Sequence, residues 1–222
     1  MLPETLHETQ RQSFHIKNLL SGYWQLGSDP RFILLALASG VPFNGLFLYV
    51  LSAPVFLGEH LGLAPQQSYW FFLLTIGGIM GGAMLSGRFA GKIAPKKQIR
   101  IGFLVMLSIG CLNLGANLLF TAHVSWALFP ICVFSFGWAL MVPVVTLLVL
   151  DLHPSRRGMA SSLQMCVGAT ANGFVAGVIS PLVMHSTVGL ASASVLMMGV
   201  GLCSWIYIRR RWPDIGQNIC PI

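Results

Sequence analysis

Charge is what this sequence has least of. Six acidic residues occur in 222, against thirteen Lys and Arg, and charged residues make up 9% of the chain. A soluble domain carries about 25%. Between Ile101 and Leu150 there is no formal charge at all. Catalytic and metal-binding patterns are missing as well. The five cysteines (Cys111, Cys132, Cys166, Cys203 and Cys220) form no CxxC pair, so no thiolate metal site is indicated. Four of them lie in apolar stretches, where cysteine serves as a small packing residue. The six histidines (His7, His15, His60, His123, His153 and His185) are scattered, with no HxxxH or HExxH pair. There is no GxSxG elbow and no P-loop, which argues against Ser-nucleophile chemistry and ATP hydrolysis by this chain. No metal or cofactor is called for.

What is there is apolar sequence. The chain is 55% hydrophobic, with a mean hydropathy of +0.75. Its basic residues fall in four groups: Arg11, Lys17 and Arg31; Arg88, Lys92, Lys96, Lys97 and Arg100; Arg156 and Arg157; and Arg209, Arg210 and Arg211. Between groups lie apolar stretches of roughly 50 residues, each about twice the ~20 residues a helix needs to cross the hydrocarbon core. A double crossing returns the chain to the face it left, so all the positive charge collects on one side. By the positive-inside rule that side is the cytoplasm, and both ends are expected there. The net charge of +7 is thus accounted for by topology, and no nucleic acid partner is expected. The apolar runs lack the period-two alternation of barrel strands. The fold class expected is all-α integral membrane, with the lipid bilayer as solvent.

Six spans are expected near residues 32–57, 67–89, 100–120, 124–149, 159–183 and 187–208. They form a transmembrane domain at 31–208, preceded by a polar cytoplasmic segment, 1–30, and followed by a cytoplasmic tail, 209–222. Residues 1–30 carry acids as well as bases and do not read as a signal peptide. The turns at Thr121-Ala122-His123 and His185-Ser186-Thr187 split the two longest uncharged stretches, and Glu59 is the one formal charge expected on the outer side. In the second span Gly77, Gly78, Gly81 and Gly82 overlap as GxxxG pairs, and the fifth carries Gly168, Ala171, Gly173 and Gly177. Such small residues let helices approach closely in lipid. Pro42, Pro54, Pro130, Pro143 and Pro181 are expected to bend their helices.

No carboxylate lies inside a span. A proton- or sodium-coupled pump needs a titratable group along its path, and no proton-coupling residue is identified. Asp151 stands at a span end and is expected to pair with Arg156 or Arg157. Polar residues within spans bond a neighbouring helix or face a wet cavity. Phe43, Asn44 and Phe47 in the first span, with Gln164 and Asn172 in the fifth, are the candidates for a substrate cavity.

These residues resemble a known family. Leu2-Pro3-Glu4-Thr5-Leu6 resembles the PETL signature following the sixth helix in drug transporters of the major facilitator superfamily. Ala38 to Phe47, continuing to Ser52-Ala53-Pro54, resembles the seventh helix of its Bcr/CflA (bicyclomycin-resistance) efflux branch. Pro143 followed by Gly158-Met159-Ala160-Ser161-Ser162-Leu163 resembles that branch's passage from the tenth to the eleventh helix. Gly82, Arg88 and Lys92 resemble the second-half copy of the superfamily's cytoplasmic loop motif.

The resemblance implies the C-terminal six-helix half of a twelve-helix transporter, built of three-plus-three inverted repeats, in a bacterial inner membrane. It implies efflux of drug-like small molecules in exchange for protons, by rocking against an N-terminal half that supplies the proton-coupling acid. The readings set against it are a half-size facilitative carrier that pairs with a second copy, a non-functional truncated remnant, and an intramembrane enzyme or assembly factor.

Overall fold

The computed structural model describes residues 16–120 and 123–215. The Leu2–Leu6 block, His7, Arg11, His15, Thr121-Ala122 and Cys220 lie outside the described residues. The described chain is helical: α1 (Ile16–Ser28), α2 (Pro30–Leu51), α3 (Ala53–Val55), α4 (Tyr69–Phe89), α5 (Pro95–Leu119), α6 (Val124–Leu152), α7 (Arg157–Phe174), α8 (Ser180–Val183) and α9 (Thr187–Arg211). Among the described residues six stretches are long and apolar enough to cross a bilayer: Pro30–Leu51, Pro65–Phe89, Pro95–Leu119, Trp126–Leu152, Pro154–Val183 and Thr187–Arg211. The chain is a multi-pass, all-helical membrane protein.

Local chemistry sets the helix ends. Asp29 caps α2: its Oδ1 accepts from the Arg31 backbone N–H at 2.9 Å, and Pro30 occupies the first turn, where no N–H is needed. Ser186 caps α9 by accepting from Gly189 N–H at 3.1 Å. The α9 helix ends on Arg209, Arg210 and Arg211, whose charges complement the carbonyl end of the helix. Gly91, with φ of 72°, makes the left-handed turn between α4 and α5 that a side chain would resist. The described part of the polar segment before the first span is helical. Within it α1 forms, burying Gly22 and Leu26 while Ile16, Leu20 and Trp24 stay exposed at a four-residue spacing.

The bundle is assembled by pairs. Helix α4 packs on α6, α5 on α6, and α2 on α9, with α2 also touching α6 and α7. Small residues sit at each main crossing. A Cβ on Gly78 would overlap the Cys132 carbonyl, and one on Gly82 the Phe136 carbonyl, so α4 and α6 meet backbone to backbone. Gly102 of α5 lies against the Gly137 carbonyl of α6, where a Cβ would come within 2.8 Å. Gly45 faces Ser194, and Gly201 faces the Pro42 ring, across the α2–α9 contact. In lipid such close approach replaces the hydrophobic drive that holds soluble helices together.

A widened π turn stands at Phe56–His60, past the end of the first span and after α3, and another at Val175–Ile179 within the fifth span, before α8. Each stands next to a proline, Pro54 or Pro181, whose missing N–H loosens the local ladder. The buried hydroxyls of Ser52 and Ser180 bond at 3.1 Å and tie the two irregular regions together.

Candidate functional site

Ser39, in the middle of α2, is the junction of three helices. Its backbone carbonyl accepts from Trp138 Nε1 of α6 at 3.0 Å, and its hydroxyl accepts from Gln164 Nε2 of α7 at 3.1 Å. One turn further along α2, the Phe43 ring stacks on Phe47, with centroids 5.7 Å apart, and tilts against Trp138 at 4.8 Å. Phe43, Phe47, Trp138 and Gln164 are all half-buried. Trp138 stands fourteen residues from either end of α6 (Val124–Leu152), hence near mid-depth of the span. The result is an aromatic wall with one amide beside it, the composition of a surface that holds amphipathic molecules.

Three of the five cavity candidates, Phe43, Phe47 and Gln164, therefore come together. Asn44 does not join them. It is 1% exposed, inside the bundle, where its Nδ2 donates to the Gly40 carbonyl of its own helix at 3.1 Å. Successive helical residues point about 100° apart, so the face that carries Phe43 and Phe47 turns Asn44 inward. Asn172 lies two turns beyond Gln164 on α7, half-buried, with its Oδ1 lacking a hydrogen-bond partner among the described residues. Trp138 and Ser39 were not among the candidates. A tryptophan in an uncharged apolar run carries no sequence signal, and the ring reaches α2 only through tertiary packing.

The glycines separate into two kinds. Gly78 and Gly82 meet the α6 backbone, and Gly81 lies beside the Phe136 ring, where a Cβ would be 3.5 Å away. Gly77, Gly173 and Gly177 have nothing within 4 Å, so the expected helix contact is not made among the described residues. The residues of the loop motif are not gathered either. Gly82 is consumed in the α4–α6 crossing, Arg88 is exposed in the last turn of α4, and Lys92 is exposed in the turn after it.

The polar bonds inside the bundle are structural ties. Asn113 Nδ2 donates to the buried Tyr49 hydroxyl at 2.9 Å, joining α5 to α2. Gln98 Nε2 donates to Ser86 Oγ at 2.7 Å and to the Leu140 carbonyl at 2.9 Å, joining α4, α5 and α6. At the basic end Arg157 pairs with Asp151 at 2.8 Å, while Arg156 turns to Gln25 of α1. Asp29 is held by Arg31 at 3.0 Å, with His153 Nε2 at 3.4 Å. Burial pushes the Asp29 carboxyl up. Hydrogen bonds from the Arg31 side chain and backbone, with the charges of Arg31 and His153, outweigh it and hold the group below its ordinary value. Among the described residues no three His, Cys, Asp or Glu side chains gather as a metal site would require.

Comparison with known proteins gives a consistent answer. Residues 1–177 match the family model described as Major Facilitator Superfamily. A "Bicyclomycin resistance protein homolog" from Haemophilus influenzae is 25% identical over 183 residues, covering 80% of this chain and 42% of that protein. An "Uncharacterized MFS-type transporter YdgK" from Bacillus subtilis is 24% identical over 220 residues, covering 98% of this chain and 53% of that protein. The chain thus spans about half the length of the curated relatives it matches. Six membrane-crossing helices and a family match over most of the described residues converge: this chain belongs to the Major Facilitator Superfamily.

Proposed function

We propose that this chain acts as the C-terminal half of an efflux transporter for drug-like molecules, working against a second six-helix half. The observation that carries this reading is the state of α7 and the turns after it. Only 11% of that span is buried within the chain, and Gln164 and Asn172 lie at its half-buried edge, the Asn172 Oδ1 without a hydrogen-bond partner among the described residues. The exposed side of the same span carries Ser161, Ser162, Thr170, Gly173 and Gly177, small and polar residues that suit an opposing protein wall and a wet cavity better than hydrocarbon. In this superfamily substrate binds near the membrane midplane between two halves. Phe43, Phe47 and Trp138 would supply apolar and π contact to an amphipathic guest, while Gln164 and Asn172 would orient it. Gly77, Gly173 and Gly177, uncovered here, would meet helices of the opposing half.

Proton exchange fits the branch this chain resembles, and the acid that drives it would come from the other half, because the one carboxylate within the described spans, Asp151, stands at the end of its helix and is paired with Arg157. By the positive-inside rule the basic loops support an orientation with the α4–α5 and α6–α7 connections and both termini in the cytoplasm, in a bacterial inner membrane. Drug susceptibility of cells making the chain alone, against cells also making the N-terminal half of a bicyclomycin-resistance relative, tests the reading. Resistance is expected only with both halves. Resistance from the chain alone would favour pairing with a second copy, and a periplasmic reporter active after Arg157 would reverse the orientation.

A further inference from the structure

A narrow groove of about 160 Å³ opens between α5 and α9 at the basic end of the bundle. Its floor is Phe103 and Trp205, 2% and 3% exposed. Leu104 and Leu107 form one rim, Leu202 and Ile206 the other. Arg100 and Arg209 flank it. The first lies in the second turn of α5 and the second in the last turn of α9, so two helices running in opposite directions bring both cations to one mouth.

These two arginines are unpaired cations that line an apolar groove; Lys97, Arg210 and Arg211 beside them are unpaired among the described residues too, but do not line it. At the same end Arg31 is taken by Asp29, Arg157 by Asp151, Arg156 by Gln25, and Lys96 by the Pro213 carbonyl. Arg100 and Arg209 make neither an ion pair nor a side-chain hydrogen bond among the described residues. An apolar cavity of about 150 Å³ accepts a six-carbon hydrocarbon, so this one suits a stretch of a single acyl chain and is far too small for a helix about 10 Å across. A second copy docking symmetrically on this face would set Arg100 and Arg209 against their own kind.

We propose that the groove holds an anionic phospholipid, with one acyl chain against Phe103 and Trp205 and the phosphate bridging the Arg100 and Arg209 guanidinium groups. Guanidinium donors match phosphate oxygens in geometry as well as charge, and basic pockets between membrane helices take anionic headgroups. The lipid would lock α5 to α9, a contact that otherwise has no side-chain hydrogen bond among those seen in the bundle.

Native mass spectrometry of the purified chain in neutral detergent tests this with phosphatidylglycerol and phosphatidylcholine of identical acyl chains. Phosphatidylglycerol should bind about fivefold more tightly or better. The paired change Arg100→Gln and Arg209→Gln should bring it to the level of phosphatidylcholine, whereas Arg210→Gln with Arg211→Gln should leave the preference intact. Leu104→Trp fills the groove while sparing both arginines, and should weaken both lipids. That variant carries the test should the arginine pair prove necessary for folding, as checked by circular dichroism. Equal retention of the two lipids, a preference surviving the Arg100/Arg209 change, or indifference to Leu104→Trp would each overturn the proposal. So would inorganic phosphate displacing the lipid at equal concentration, or a rise in dimer when the two arginines are removed, which would make a second copy the occupant.

Discussion

The Gln164 side-chain nitrogen lies 3.1 Å from the Ser39 hydroxyl, and this bond holds α7 to α2 directly beneath the Phe43–Trp138 contact. Two consequences can be separated by substitution. Ser39→Ala removes the tether but keeps the amide available to a guest, whereas Gln164→Leu removes both. With the opposing half co-expressed, Gln164→Leu should lower efflux of a fluorescent amphipathic dye about tenfold, the worth of one lost hydrogen bond of ~1.4 kcal/mol. Ser39→Ala should cost less than half of that on a logarithmic scale. Equal efflux by Gln164→Leu and the parent, at matched protein levels, would remove Gln164 from the proposed binding wall.

The α4–α6 crossing offers a sharp contrast between neighbours. Gly78→Leu drives a side chain into the Cys132 carbonyl, while Gly77→Leu enters open space. Overpacking of this kind costs about 1–3 kcal/mol, so Gly78→Leu should lower the thermal midpoint in detergent by several degrees. Gly77→Leu should leave the lone chain within about 0.5 kcal/mol of the parent and lose efflux only when the second half is present. Fluorescence-detected size exclusion after heating reads the stability of both variants, and dye efflux with the second half co-expressed reads the loss of transport.

Tyr49 and Asn113 form a buried pair, and their removal should be non-additive. Tyr49→Phe or Asn113→Leu alone strands one polar group. Each should destabilise by about 0.6–1.7 kcal/mol, the range found for hydrogen bonds between membrane helices. The double substitution should cost less than the sum of the singles, because it leaves no orphan. Strict additivity in a thermal-unfolding cycle would show that the bond contributes nothing.

Asp29 gives a pH dependence whose sign follows from its partners. Because its folded carboxyl sits below the ordinary value, its stabilisation is complete at neutral pH and is lost as acid carries the group through its folded value. Asp29→Asn keeps a capping oxygen but removes the charge facing Arg31 and His153. The parent should exceed it in thermal midpoint between about pH 5 and 7, with the gap closing below about pH 4. A gap that widens in acid would contradict the assignment.

The spans could be read from the sequence because charge bounds them: an uncharged run of known length has few ways to sit in a bilayer. The α4 side of the α4–α6 crossing was also legible, since Gly78 and Gly82 lie on one helix at a fixed spacing. Gly102 and Gly137 were not, because each is isolated in its own helix and becomes a contact only when α5 meets α6. Asn44 lies apart from the aromatic wall for the opposite reason. Its neighbours in sequence are aromatic wall residues, but adjacency along a helix is divergence in space. The Ser39 junction combines a serine, a tryptophan and a glutamine from three helices, and no local pattern announces it.

A π turn is an α-helix carrying a surplus residue, and that gives Phe56–His60 a meaning in terms of insertion and deletion. Taking out one residue there, such as Gly58, would restore ordinary winding and rotate everything beyond it by about 100°. His60, whose Nε2 now reaches the Met184 carbonyl at 3.1 Å, would swing off that partner, and Glu59 would leave the 3.5 Å approach of His185. The second π turn, at Val175–Ile179, precedes that same Met184–His185 stretch. The two surplus residues thus lie in helices tied to each other by the Ser52–Ser180 and His60–Met184 bonds: a deletion in one helix would be tolerated best when answered by a deletion in the other.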